Sequence, residues 1–408
     1  MKLNLLAFAV PLFVVFMVLE YLVARKKKLP YFNLNNSIAN VSIGIAERLL
    51  DVFVTGLFFF IYDYLQKHYG IFNIRSGVLL WLLLLIATDF LWYWYHRFAH
   101  EINIFWAVHV VHHQSEDFNY TVSARITVFQ AFVRTGFWAV LSVIGFPASM
   151  ITSVLLVHGL YPFFIHTRLI GKLGILEYIL VTPSHHRVHH ASNEKYLDKN
   201  YGDVFIIWDK LFGTFQKEED DIRIEYGLTQ PLKSYSFLWQ HFHFFIELIF
   251  AARQVKGFNN KWNVFFGKPD DLDPNLRIEA EKIFLPRKPD ISPDNRPLNR
   301  YVVWQVVLAL PLLFIFILLE QRISVMQQVL IALTILLTLI NCGAIMEQKQ
   351  WVFSLEFLRL LTVGISFVLT YPYIWLLVSM LIVAGILARY FQTARSYYLQ
   401  WIYTGNDM

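Results

Sequence analysis

Residues 78–113 read VLLWLLLLIATDFLWYWYHRFAHEINIFWAVHVVHH, and the fold turns on this stretch. Positions 78–95 are apolar or aromatic apart from Thr88 and Asp89. Such a run is close to the roughly 20 residues that a helix needs to cross a bilayer. The helix should continue unbroken into His96 and His100, which lie four apart and so share one face. A membrane-spanning helix therefore ends in two side chains suited to a metal. Beyond them come His109-Val-Val-His112-His113 and His185-His186-Arg-Val-His189-His190, so that eleven of the fourteen histidines fall between 96 and 190. In helical conformation each cluster can aim two or three imidazoles at a common point. Eight or more converging imidazoles can fill the shells of two metal ions, whereas a single zinc takes about four ligands.

Outward from this stretch the composition is that of a membrane protein. The 408 residues are 56% hydrophobic and 17% aromatic, with a mean hydropathy of +0.46. Only 16% are charged, against roughly 25% in a soluble domain. The net charge of +5 is scattered or sits beside apolar runs, which argues against a nucleic-acid partner. The single cysteine, Cys342, rules out an internal disulfide and any site built from several thiolates.

The apolar runs predict an all-α fold: a polytopic membrane helical bundle with a cytoplasmic, histidine-rich di-metal cap. Residues 3–24 predict the first span, and the basic run Arg25 to Lys28 should stay in the cytoplasm. Residues 37–65 predict a second span, and 78–95 a third that returns to the cytoplasm. Residues 126–165 predict a hairpin of two spans broken at Gly145-Phe-Pro147. On this layout the three clusters and the isolated His166 reach the same face. Residues 234–253 predict an amphipathic helix on the membrane surface, with His241 and His243 interfacial. Four segments result. They are 1–36, a span and basic linker; 37–260, the metal core with an interfacial cap; 261–300, a linker rich in proline and charge; and 301–408, a C-terminal transmembrane module without histidine. Asp89 lies on the face of His96 and His100 and is expected to orient a ligand imidazole.

A site with many imidazoles and few acids suits iron or zinc rather than magnesium or calcium. Paired irons can activate dioxygen against an unactivated C–H bond. The motifs His-x3-His, His-x2-His-His and His-x2-His-His resemble those of the fatty acid hydroxylase/sterol desaturase superfamily of membrane non-haem di-iron oxygenases. HRFAHEINIFWAVHVVHHQSEDFNYTVSAR, FFIHT, TPSHHRVHHASN and DKNYGDVFIIWDKLFGTF resemble its ether-lipid-cleaving branch in particular, over about residues 36–232.

The resemblance implies that His96, His100, His109, His112, His113, His186, His189 and His190 hold the metals, with His166 a further ligand and His185 a ligand or a support. Glu101 matches an acid that bridges the metals or handles protons. Glu116, Asp117, Asn119 and Tyr201 match positions near substrate or pterin, and His158 has no clear counterpart. Two iron ions and tetrahydrobiopterin are the implied cofactors, with a membrane lipid, dioxygen and an external electron donor as partners. The implied reaction hydroxylates the carbon next to an ether oxygen of an alkylglycerol and yields a fatty aldehyde and a glycerol product. The implied location is the endoplasmic reticulum of a eukaryote or the inner membrane of a bacterium. Other readings are a sterol desaturase or oxidase, a fatty acyl hydroxylase, a metal-dependent lipid hydrolase and a membrane metal carrier. Assays with each electron donor, and without oxygen, separate them.

Overall fold

The structure is a computed structural model that describes residues 3–285 and 296–404. Among the described residues there are nineteen α-helices and no β-strand. The first half comprises α1 (Ala9–Lys26), α2 (Leu34–Tyr69), α3 (Val78–Glu101), α4 (Asn103–His113), α5 (Tyr120–Ser123), α6 (Val128–Phe137), α7 (Ala139–Ile144), α8 (Ala148–His158), α9 (Tyr161–Ile165), α10 (Pro183–His189) and α11 (Ile207–Phe212). Then come α12 (Phe237–Gln254), α13 (Phe258–Phe266), α14 (Asn275–Phe284), α15 (Arg296–Leu319), α16 (Val325–Met346), α17 (Val352–Thr370), α18 (Ile374–Arg389) and α19 (Phe391–Thr404).

Among the described residues six helical stretches are long and apolar enough to cross a membrane: Leu5–Lys26, Val78–Glu101, Ala148–Ile165, Arg300–Leu319, Val325–Met346 and Val352–Thr370. The pair α18 and α19, bent by 78°, makes a seventh if it is one span. The chain is thus a multi-pass integral membrane protein. Where a second span is expected, α2 is one continuous helix, begun by Asn33, whose side chain accepts from the backbone N–H groups of Asn35 and Asn36. It carries Glu47, Arg48 and Asp51 near its middle and is not among the six. The expected hairpin breaks at Gly145 as its sequence indicates, but its first arm, Val128–Ile144, is shorter than a span. Gly145 has φ +124°, and a Cβ there would stand 1.9 Å from the Phe72 carbonyl oxygen. Gly145→Ala is therefore expected to lower stability by at least about 1–3 kcal/mol, read as earlier thermal unfolding.

One residue separates the two helices that carry the first histidine clusters. Ile102 is extended (φ −126°, ψ 123°), which ends α3 and folds α4 back over it. Asn103 fixes the turn: its N–H donates to the Gly267 carbonyl and its side-chain amide to that of Val264, both at 2.9 Å. This hinge is what brings the His96/His100 face opposite the His109/His113 face.

A single apolar core joins Leu49 of α2, Val111 of α4, Phe244 and Leu248 of α12, Leu313 of α15 and Leu339 of α16. The C-terminal helices α15 and α16 are therefore packed against α2 and α12 of the first half. At that junction Glu347 accepts from the Ser236 N–H at 2.9 Å and from the Ser234 hydroxyl. Packed on α4, α14 and α16, α12 buries His241 and His243 in protein instead of at an interface, while Leu238, Phe242 and Ile249 stay exposed. Its Phe-rich pattern meets protein on several sides. Within the expected linker, α14 buries Leu276 and Ala280 against α12, while residues 286–295 lie outside the described ones.

Candidate metal centre

Nine buried imidazoles form two groups, and within each group the ring nitrogens that could bind a metal all lie within 4.8 Å of one another. The first holds His96, His100, His109, His113 and His189; the second holds His112, His166, His186 and His190. The motif spacings explain the division. The pairs 96/100, 109/113 and 186/190 are four apart and face one way, so each enters one group together. His112 and His189 sit beside a member of such a pair and point about 100° away round the helix, into the other group. The groups touch, with the His113 and His190 rings 4.5 Å apart between centroids.

Most of these rings are held by an acceptor on Nδ1. The His96 Nδ1 donates to the Tyr201 carbonyl at 2.8 Å, His112 to that of Arg125 at 3.1 Å, His166 to that of Pro162 at 2.6 Å and His189 to that of Lys199 at 3.0 Å. Side chains hold two more: Gln130 on His109 at 3.1 Å and Asp198 on His100 at 3.2 Å. A carbonyl cannot donate, so the proton of each such ring stays on Nδ1 and the Nε2 lone pair is free. Orienting a ligand imidazole through its other nitrogen is the usual support for a metal site.

The freed lone pairs face one another. His96 and His109 bring their Nε2 atoms to 3.0 Å, His109 and His113 to 3.1 Å, His112 and His166 to 3.2 Å, and His166 and His186 to 2.9 Å. The Nε2 atoms of His100, His189 and His190 are buried without a partner. Unpaired buried acceptors are costly, and lone pairs this close repel unless a cation lies between them. Neighbouring nitrogens about 3 Å apart are what bonds of about 2.1 Å to one ion produce. The residues therefore fit a metal ion in each group. Burial, reinforced by the adjoining rings, lowers the pKa of His112, His113, His186, His189 and His190. It pushes His109 to about 3 and His166 to about 4. The rings outside the membrane-spanning stretches are thus neutral, the form that binds metals.

Other expected site residues stand elsewhere. His185 joins neither group; its Nδ1 accepts from the Thr182 N–H at 3.3 Å and caps α10. Asp89 does not orient a grouped imidazole: its carboxylate accepts from His158 and from the 204–208 segment. The Glu101 carboxylate pairs with Arg97 at 2.8 Å and is 39% exposed, outside both groups. Glu116 is exposed, Asp117 accepts from the Asn33 N–H at 2.8 Å, and Asn119 caps α5. Of these four polar positions only Tyr201 meets the rings, lying 5.2 Å from His100 between centroids. Phe118, one of the aromatics that the sequence places around the site, is fully buried and packs on His166, His186 and His190. Sequence reading missed Gln130 and Asp198. Only Asp198 carried a signal, as an acid beside the Asn-Tyr-Gly turn.

The sequence pattern of the fatty acid hydroxylase family matches residues 81–214, which include all nine imidazoles. An alkylglycerol monooxygenase from Homo sapiens is 34% identical over 359 residues, covering 86% of this chain and 80% of the relative. One from Danio rerio is 33% identical over 362 residues, with 86% and 79% covered. An ornithine lipid hydroxylase from Rhizobium tropici is 27% identical over 146 residues, 36% of this chain and 44% of the relative. No solved structure matches.

Proposed function

The chain belongs to the fatty acid hydroxylase family and is a membrane monooxygenase of lipid chains; from that premise we propose that it cleaves the ether bond of alkylglycerols with a pair of iron ions. The observation that carries this reading is the division of nine buried imidazoles, six of them oriented through Nδ1, into two touching groups without a carboxylate. The donor set suits iron, and the alkylglycerol monooxygenases named above supply the substrate class.

The His96 group and the His112 group would each hold one ion. Iron bound there would supply activated dioxygen, with one oxygen atom entering the C–H bond beside the ether oxygen and the other leaving as water. Two electrons and two protons balance that step, and we assign tetrahydrobiopterin as the donor. The hydroxylated carbon is a hemiacetal, and breaking its C–O bond to the glycerol gives a fatty aldehyde and the free glycerol hydroxyl. Phe118 against three rings of the second group, and Trp106 against His100 and His113, cover the centre with apolar surface and keep water from it. The basic run at 25–28 supports a cytoplasmic orientation for this face, in a eukaryote's endoplasmic reticulum or a bacterial inner membrane.

We assign Glu101 the handling of protons at the rim, because it follows His100 and its carboxylate reaches solvent. Its half-exposed pair with Arg97 adds no more than about 1 kcal/mol to stability. Glu101→Gln should therefore fold normally while turnover falls by about 100-fold or more, measured as aldehyde released per chain.

The function is tested by incubating purified, iron-loaded protein aerobically with a 1-O-alkylglycerol and tetrahydrobiopterin. Aldehyde that requires oxygen supports the proposal. An intact hydroxylated lipid would support instead lipid hydroxylation without ether cleavage, the reading favoured by the ornithine lipid hydroxylase match. Product formed without oxygen would overturn both.

A further inference from the structure

A third buried cluster, Asp89, His158 and Asp203, lies outside the two imidazole groups. It joins α3, the C-terminal end of α8 and the loop after Gly202. The His158 Nε2 is 2.8 Å from Asp89 Oδ1 and its Nδ1 is 2.9 Å from Asp203 Oδ2. The Nε2 hydrogen-bonds to Asp89, and the Nδ1 lies at ion-pair distance from the Asp203 carboxylate. The Asp89 carboxylate also accepts from the Val204 N–H at 2.9 Å, the Phe205 N–H at 3.1 Å and the Trp208 indole at 2.9 Å. Four donors on one buried carboxylate are the mark of an anchor.

What is anchored is the segment 198–209. Asp209 closes its other side by accepting from the Tyr201 N–H at 2.7 Å, the Gly202 N–H at 2.8 Å and the Thr214 hydroxyl at 2.7 Å. The turn is tight: a Cβ on Gly202 would lie 2.6 Å from the Phe205 carbonyl oxygen and 2.9 Å from Asp209. Asp198 and Asn200 are left-handed (φ +57° and +58°), a conformation Asp and Asn tolerate better than other side chains. They turn this segment so that Asp198, Lys199 and Tyr201 present their acceptors to His100, His189 and His96. All three rings belong to the five-histidine group. The acceptors of the four-histidine group, the Arg125 and Pro162 carbonyls, lie on other segments.

We propose that Asp89, His158, Asp203 and Asp209 are positioning residues that hold segment 198–209 and thereby support tight ion binding at the five-histidine group alone, leaving the four-histidine group's ion unaffected. This rests on the two-metal reading above. Loss of support for an oriented imidazole weakens metal binding by about 10–100-fold, and here the loss should fall on one ion of two.

The test titrates the purified, metal-stripped full chain with cobalt(II), following the absorption of the bound ion and the number of ions per chain, alongside thermal unfolding of the metal-free form. The wild type should bind two ions tightly. Asp209→Asn and Asp89→Asn, which set an amide N–H against backbone N–H donors, should keep one tight ion and bind the other about 10–100-fold more weakly. Asp203→Asn touches only His158 among the contacts named here and should shift the same ion in the same direction. It decides the matter if the other two variants do not fold. Two ions bound as tightly as in the wild type, or both weakened equally in a folded variant, would overturn the positioning role. A wild-type chain that takes up fewer than two ions would instead sink the two-metal reading, and the positioning role with it.

Discussion

His112→Ala yields a folded chain that has lost the ion of the second group and turns over at less than about one-thousandth of the wild-type rate. Even a residue that merely orients a ligand costs about 10–100-fold when removed, so loss of the ligand itself should cost more. His112 lies at the junction of the groups, with its Nε2 3.2 Å from that of His166 and its ring 4.5 Å from that of His190. The alanine also leaves the Arg125 carbonyl without its imidazole donor, at a cost of about 1–3 kcal/mol. Metal content and aldehyde production check the expectation together, with His241→Ala as the reference. His241 is just as buried, but its Nδ1 donates to the Phe237 carbonyl within α12 and it belongs to neither group. His241→Ala should lose stability yet keep both ions. Wild-type turnover and metal in His112→Ala would remove His112 from the ligand set.

The second large effect concerns stability. Arg125 is buried, and its guanidinium donates to four oxygens: the Val111 carbonyl at 2.6 Å, Asn40 at 3.0 Å, Gln114 at 2.6 Å and Gln240 at 3.0 Å. These belong to α2, to α4 and the residue after it, and to α12, so one side chain ties together the walls around the second histidine cluster. Burial pushes its pKa down to about 9, which still leaves it charged at neutral pH. Arg125→Met would strand those neutral oxygens, at a cost of about 1–3 kcal/mol for each that finds no other donor. Arg125→Lys should recover little, since an ammonium cannot reproduce the planar fork. Thermal unfolding of the purified protein measures both, and an unchanged midpoint for Arg125→Met would show that the guanidinium contributes nothing to holding α2, α4 and α12 together.

The grouped imidazoles were legible because their spacing carries the chemistry. The intervals 96/100, 109/113 and 186/190 are a helix repeat, and no tertiary knowledge is needed to see that each pair converges. His166 was legible only through resemblance, since an isolated imidazole has no spacing to read. What orients the rings was mostly illegible for a physical reason. The acceptors at Tyr201, Arg125, Pro162 and Lys199 are backbone carbonyls, which every residue possesses. Asp89 was recognised as an unusual acid in an apolar helix, but its partner is His158, which lies 69 positions away. The Phe-rich pattern of α12 suggested a membrane surface, because a pattern of apolar residues does not say whether lipid or protein covers them. The same ambiguity hid α14, whose buried face is only Leu276 and Ala280 amid charge.

The doublets His112-His113 and His189-His190 deliver adjacent residues to different groups. Neighbouring Cα atoms are a fixed ~3.8 Å apart, so the gap between the two centres is ruled off twice by covalent geometry. Helices may breathe or slide in a fluctuating bilayer, yet neither centre can drift from the other without unwinding α4 or α10. A protein working inside a soft, changeable solvent thereby keeps its most sensitive dimension in the hardest part of its own skeleton.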